Sequence, residues 1–151
     1  RGSQDKSSFA KANVWGSGPI VKDRLFFFAM YEDRNYDAKY TNSAGDTWFK
    51  DQSNNGFWGT KLDWNITDDH LLEFTAFQDE SEEKVDTYLN NPGELVRGEY
   101  LGQAVTESGG NNYVLRYTGY LTDAFTLSAL AGQSTYSRGA YLISTTGEKV
   151  F

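Results

Sequence analysis

The sequence predicts an all-β fold, an antiparallel up-and-down meander that forms a roughly six-stranded segment of a larger transmembrane β-barrel. Three observations predict it. Phe, Trp and Tyr make up 16% of the 151 residues in a chain whose net charge is −7, and Gly (15) far outnumbers Pro (2) and Met (1), a composition suited to pleated strands rather than to helices. Several segments alternate apolar and polar residues with the period of a strand whose two faces differ. Short turns and long polar connections follow each other in strict alternation, the pattern of a barrel that crosses a membrane.

The first hairpin is expected from Phe9 to about Ile20 and from Arg24 to Arg34, turning at Lys22-Asp23. Pro19 lacks an N–H and suits a strand end. Leu25, Phe27, Ala29 and Tyr31 form one face of the returning strand. The other face, Phe26, Phe28 and Met30, is also apolar until Glu32 and Arg34. The odd-numbered face is taken as the lipid side.

The second hairpin is the clearest. Trp58, Thr60, Leu62 and Trp64 alternate with Gly59, Lys61 and Asp63. After a turn at residues 65–69, Leu72, Phe74 and Ala76 alternate with Glu73 and Thr75. Pairing Trp64 with His70 sets Leu62 against Leu72 and Lys61 against Glu73, so that apolar meets apolar and opposite charges meet. In the third hairpin Tyr113, Leu115 and Tyr117 alternate with Arg116, Thr118 and Tyr120. The turn is Thr122-Asp123-Ala124, and Phe125, Leu127, Ala129 and Ala131 return. Pairing Leu121 with Phe125 sets Leu115 against Ala131 and Tyr117 against Ala129. The expected lipid-facing set is therefore Leu62, Trp64, Leu72, Phe74, Leu115, Tyr117, Leu127 and Ala129. The expected lumen-facing set is Lys61, Asp63, Glu73, Thr75, Arg116 and Thr118. Strands of about nine to eleven residues have the length a tilted membrane strand needs. Trp15, Trp58, Trp64, Tyr113 and Tyr136 are expected at strand ends, where interfacial aromatics belong.

The connections from Asn35 to about Asn55 and from Glu80 to about Asn112 read as long loops. Any substrate contact is expected there and in the upper lumen, from Trp48, Phe49, Asp46, Asp51, Tyr88, Arg97, Glu99 and Tyr100. Aromatic and hydrogen-bonding side chains of this kind suit a small molecule, a sugar or a peptide alike.

Other classes find no support. No apolar run approaches the roughly 18 residues of a membrane-spanning helix. The chain has no cysteine, so disulfides, thiolate metal sites and a Cys nucleophile are excluded. The acidic balance argues against a nucleic-acid partner. A single histidine, His70, builds no His-based metal site and is expected to be a solvated turn residue. The acidic run from Asp79 to Asp86 lacks the spacing of a Ca²⁺ loop and is expected to be a solvated charged loop. No nucleophile–base set and no phosphate loop is found, so neither an enzyme nor a cofactor nor a metal is expected. The opening Arg1-Gly2-Ser3-Gln4 is not a signal peptide, and residues 1–151 are expected to be one partial barrel domain of a longer protein.

The run Gly16-Ser17-Gly18-Pro19-Ile20-Val21-Lys22-Asp23-Arg24-Leu25-Phe26-Phe27-Phe28-Ala29-Met30-Tyr31-Glu32 resembles the early barrel strands of TonB-dependent outer-membrane receptors of the Oar-like group. There a Gly-Gly-Pro-Ile segment leads through Lys-Asp or Lys-Asn into a Leu-Phe-Phe-Phe strand, whereas Ser17 splits the glycine pair here. The segments from Lys61 to Asp68 and from Arg116 to Asp123 resemble the family's passages from strand to periplasmic turn. The resemblance implies a receptor that takes up a scarce nutrient across the bacterial outer membrane. It further implies a plugged barrel of about 22 strands, lipid around the wall, and a TonB complex that engages a plug region not found in this chain. The alternative is a soluble or surface-displayed β module that binds carbohydrate or protein through exposed aromatics.

Overall fold

Aromatic and β-branched residues alternating with polar ones, punctuated by tight polar turns, leave the backbone little choice but extended pairing. The computed structural model describes residues 5–91 and 97–151. Among the described residues there are eleven strands and no helix. They are β1 (Lys6–Val21), β2 (Leu25–Thr41), β3 (Thr47–Asn54), β4 (Phe57–Thr67), β5 (His70–Gln78) and β6 (Ser81–Asn90). After them come β7 (Arg97–Gly109), β8 (Asn111–Thr122), β9 (Phe125–Ser134), β10 (Ser137–Ile143) and β11 (Lys149–Val150). All belong to one antiparallel sheet that is not closed.

The expected count of about six strands is corrected to eleven, yet the two counts are related. On one edge β2 pairs with β1 throughout. On its other edge it pairs with β4 from Leu25↔Trp64 to Glu32↔Phe57, then with β3 from Asn35↔Asn54 to Thr41↔Trp48. The register does not slip between these two stretches. The same holds between Trp58↔Gln78 and Ser53↔Glu83, between Gln78↔Asn111 and Ser81↔Ser108, and between Asn112↔Ser134 and Gly109↔Ser137. Strand β3 thus runs on into β4, β5 into β6, β7 into β8 and β9 into β10. With β1 and β2 they make six long strands in up-and-down order, and β11 pairs briefly with β10.

The two long loops are therefore corrected to strands. The stretch from Asn35 to Asn55 is the upper half of β2, a connection at residues 42–46, and β3. The stretch from Glu80 to Asn112 is β6, β7 and the start of β8, with Glu94 outside the described residues. Alternation betrays a strand only where its two faces meet different surroundings. In the upper half both faces mix charges with aromatics, so the pattern vanishes while the pairing persists. The acidic run is likewise strand for most of its length. From Ser81 onward its residues alternate sides, which separates Glu82 and Asp86 from Glu83.

The tight turns fall at residues 22–24, 68–69 and 123–124. Asp23 takes a left-handed φ of 61°, a conformation that Asp tolerates better than most residues. The third hairpin has the expected register over most of its length, with Leu115↔Ala131 and Tyr117↔Ala129, but at the turn a register shift pairs Phe125 with Thr122 rather than with Leu121. The second does not. Leu62 faces Phe74 rather than Leu72, and Lys61 faces Thr75 rather than Glu73. Strand β4 continues to Thr67, so the turn is tighter than a five-residue one and every pair moves by two. An even slip leaves each side chain on its expected face.

Very little is buried. The buried apolar side chains among the described residues are Ala38, Ala76 and Val105. Strand β1 pairs only with β2 and β9 only with β8. On these edges Trp15 is 68% exposed and Leu130 70%. The sheet is thus held by ladder hydrogen bonds and cross-strand pairs rather than by a core.

Candidate functional site: two faces and a crease

Residues paired across an antiparallel ladder share a face, so the unbroken register defines both sides of the sheet. Leu62, Trp64, Leu72, Phe74, Leu115, Tyr117, Leu127 and Ala129 all lie on one side, here the Leu62 face. Leu25, Phe27, Ala29 and Tyr31 join them through Trp64, Leu62, Thr60 and Trp58. From the tight turns up to the level of Tyr31, Trp58 and Tyr113, this face holds no Asp, Glu, Lys or Arg. The strands that build the band, β4, β5, β8 and β9, are 11, 9, 12 and 10 residues long.

Lys61, Asp63, Glu73, Thr75, Arg116 and Thr118 occupy the opposite side, the Lys61 face. Lys61 Nζ lies 2.8 Å from Asp63 and 2.9 Å from Glu73, and Arg116 approaches Glu73 at 3.8 Å. The Lys61–Glu73 contact survives the register slip because neighbours one pair apart on a face remain within reach of a long side chain. Trp15 is corrected: it stands mid-strand on the Lys61 face and packs on Phe28 with ring centroids 6.5 Å apart. His70 is corrected too. It opens β5, is partly buried, and its Nδ1 lies 2.6 Å from the Tyr117 hydroxyl. Gly119 makes room for this contact, since a Cβ there would stand 2.5 Å from the same hydroxyl.

A transverse crease ends the uncharged band. The strand pattern breaks at residues 55–56, 79–80, 110 and 135–136, and the register sets these breaks side by side. Side chains cap the backbone there: Gly110 N–H donates to Asp79 Oδ1, Glu82 N–H to Asn55 Oδ1 and Asn111 N–H to Thr135 Oγ1. Glycine is required at the centre. Gly109 has a φ of +107°, and a Cβ there would lie 2.3 Å from the Asp79 carbonyl oxygen. A Cβ on Gly110 would lie 1.9 Å from that of Thr135.

Above the crease the Leu62 face turns charged, with Asp37, Lys39, Lys50, Lys84, Asp86 and Glu107 on it. The eight substrate-contact candidates separate here into groups. Trp48, Tyr88 and Tyr100 cluster on the Leu62 face, with ring centroids 5.3 and 5.2 Å apart along the chain of contacts. The Arg97 guanidinium stands 5.1 Å from the Trp48 ring centre and 5.4 Å from that of Tyr88. Burial, and then the charge of Asp86, raises the Tyr100 phenol. Phe49 and Asp51 lie on the Lys61 face, where Phe49 stacks on Tyr40 at 5.1 Å. Asp51 is 8% exposed and its Oδ1 has no hydrogen-bond partner. Burial first, then the charge of Glu83 beside it, pushes its carboxyl up. The same burial and carboxylates raise Tyr40. Asp46 belongs to the 42–46 connection, where bonds from Asn42 and Thr47 hold its carboxyl low. Glu99 is exposed and joins neither group.

Sequence reasoning missed Glu83 and Tyr40 beside Asp51, and the crease glycines. The Gly109-Gly110 pair is the one signal of them visible in the sequence. Among the described residues no group of three or more His, Cys, Asp or Glu could hold a metal ion, and no helix is long and apolar enough to cross a membrane. The arrangement defines an open antiparallel wall with an uncharged band on one face and ion pairs on the other. No protein-family model, curated protein or solved structure matches the chain.

Proposed function

We propose that the chain is a wall segment of an outer-membrane barrel, specifically of a TonB-dependent receptor of the Oar-like group that takes up a scarce nutrient. The observation that carries the reading is the uncharged band, which lies on strands of 9 to 12 residues and backs onto a face of ion pairs. A strand of about nine to eleven residues crosses the hydrocarbon when tilted. Lipid covers the Leu62 face, and the Lys61 face looks into the lumen. The long strands carry the wall beyond the crease, on the side away from the tight turns. The receptor assignment itself rests on the run from Gly16 to Glu32 and its continuation into β2. In this reading the TonB complex acts through a plug, and the substrate meets the upper wall, with Phe49 and Asp51 on its inner face.

The test compares Leu72→Arg with Thr75→Arg in the full-length protein, with membrane-inserted, folded protein as the readout. A cation facing lipid costs about 2–4 kcal/mol at the midplane and less toward the interfaces, and Leu72 stands opposite Trp64 near the tight turn, so Leu72→Arg should deplete inserted protein and Thr75→Arg should leave most of it. Equal depletion would overturn the lipid-facing assignment. A second reading, a surface-displayed module that binds carbohydrate or protein, draws on the Trp48–Tyr88–Tyr100 cluster. It leaves the exposure of Leu115, Leu127 and Trp64 without a cause.

A further inference from the structure

The crease holds an open groove of about 590 Å³ on the Leu62 face, a volume within the range of small-ligand sites. Its lower rim is Tyr31 and Trp58, a cross-strand pair at the top of the uncharged band. Its upper wall carries the carboxylates of Glu80, Glu82 and Glu107. Of the two rings, Trp58 is held by a hydrogen bond and Tyr31 is half exposed. The Trp58 indole N–H donates to Gln78 Oε1. The Tyr31 ring lies over Gly56, with its hydroxyl 3.4 Å from where a Cβ would stand. Among the described residues Glu82 alone of the three carboxylates has a cationic partner, Lys84, and Glu107 accepts a hydrogen bond from Tyr141.

We infer that this groove binds the ammonium headgroup of an amphiphile whose tail lies down the uncharged band. The inference rests on the lipid-facing reading proposed above and assigns that face a specific headgroup site. Three carboxylates against one lysine favour a cation and repel an anion. Trp and Tyr ring faces attract a quaternary ammonium, more strongly as the site is buried. The apolar band begins at Trp58 and continues through Thr60 and Leu62, so a tail attached to a headgroup in the groove meets no charge along its path. Headgroup and tail preferences therefore meet at one level of the wall.

The probe is decyltrimethylammonium, titrated into the protein held in neutral maltoside micelles, with decyl sulfate and tetramethylammonium as controls. Binding is read by tryptophan fluorescence, and the location by magnetisation transfer from the N-methyl protons to the Trp58 and Tyr31 rings. The expected result is saturable binding of decyltrimethylammonium, at least tenfold tighter than decyl sulfate. Glu82→Gln with Glu107→Gln should weaken it at least tenfold. These substitutions keep shape and hydrogen-bonding capacity, so the folded sheet, checked by its circular dichroism, serves as the control. Equal binding of the sulfate probe, or unchanged binding in the double variant, would overturn the headgroup site while leaving the Leu72→Arg comparison intact. Tetramethylammonium binding as tightly as the decyl probe would overturn the amphiphile and count against lipid on the band as well.

Discussion

The two halves of this sheet share strands, register and partners, yet they read differently. Below the crease Leu62 and Lys61 are neighbours in sequence and stand on opposite faces, one among uncharged side chains and the other in an ion-pair network. Above it Lys50 and Asp51 are neighbours on opposite faces too, and both are ionisable. The lower half presents two unlike faces, whereas the upper half presents similar ones on both sides. Strand pairing is a backbone property and crosses the boundary unchanged. Amphipathic alternation belongs to the surroundings and stops at the crease.

The largest effect that would break this comparison lies at the crease itself. Gly110→Val would drive a side chain into the Thr135 carbonyl oxygen. Forced overpacking costs about 1–3 kcal/mol, and Gly109→Val adds about as much for a β-branched residue at positive φ. Either variant should lose folded, inserted protein in a heat-denaturation assay. Gly139→Val, at an open position in β10 with nothing near its Cβ, should not. Equal behaviour of the three would mean that the crease is incidental to the wall. The comparison of Leu72→Arg with Thr75→Arg comes next: in the proposed reading the cation at Leu72 faces lipid near the turn end of the band, where the cost lies below the midplane value.

Asp51 sharpens the contrast within the upper half. Its carboxyl is raised by burial and by Glu83, with Asp37 adding to it, so the folded state holds that proton more tightly than the unfolded state does. Stability from this group is fully present below the ordinary carboxylate range and is lost as pH rises through the raised folded value. Asp51→Asn should therefore stabilise the protein at pH 7 to 8 and flatten the fall of melting temperature above about pH 4. A variant that melts lower at neutral pH would show that the ionised carboxylate has a partner.

How much could be read in advance follows from the same division. The hairpins below the crease were legible because each has one apolar and one polar face, and the two sets fall on opposite faces of the sheet. The pairing of the second hairpin was not, because Asn65, Ile66 and Thr67 read equally well as turn or as strand, and parity cannot detect a slip of two. Strands β3, β6 and β7 were hidden by their polar composition. The approach of Gly109 and Gly110 to Asp79 and Thr135 joins residues distant in sequence. The same holds for the meeting of Asp51 with Glu83, so neither could be read locally. Trp48, Tyr88 and Tyr100 were singled out as aromatics on polar stretches. That they form one cluster follows only from the pairing of β3, β6 and β7.

The smallest effect concerns the Lys61 face, where Glu73 accepts Lys61 and approaches Arg116. Glu73→Gln removes the charge but keeps an acceptor. Lys61 retains Asp63 at 2.8 Å, and the Lys61 and Arg116 side chains are 40% and 54% exposed. Water screens such a network, and pairs of this kind are worth under about 1 kcal/mol. The variant should insert and melt almost as the parent does, with the difference shrinking further as salt is raised. A loss as large as that of Leu72→Arg, insensitive to salt, would mean that the Lys61 face is dry. The lumen would then have to be exchanged for a packed interior, and the barrel-wall reading would yield to a soluble sheet with Glu73 in its core.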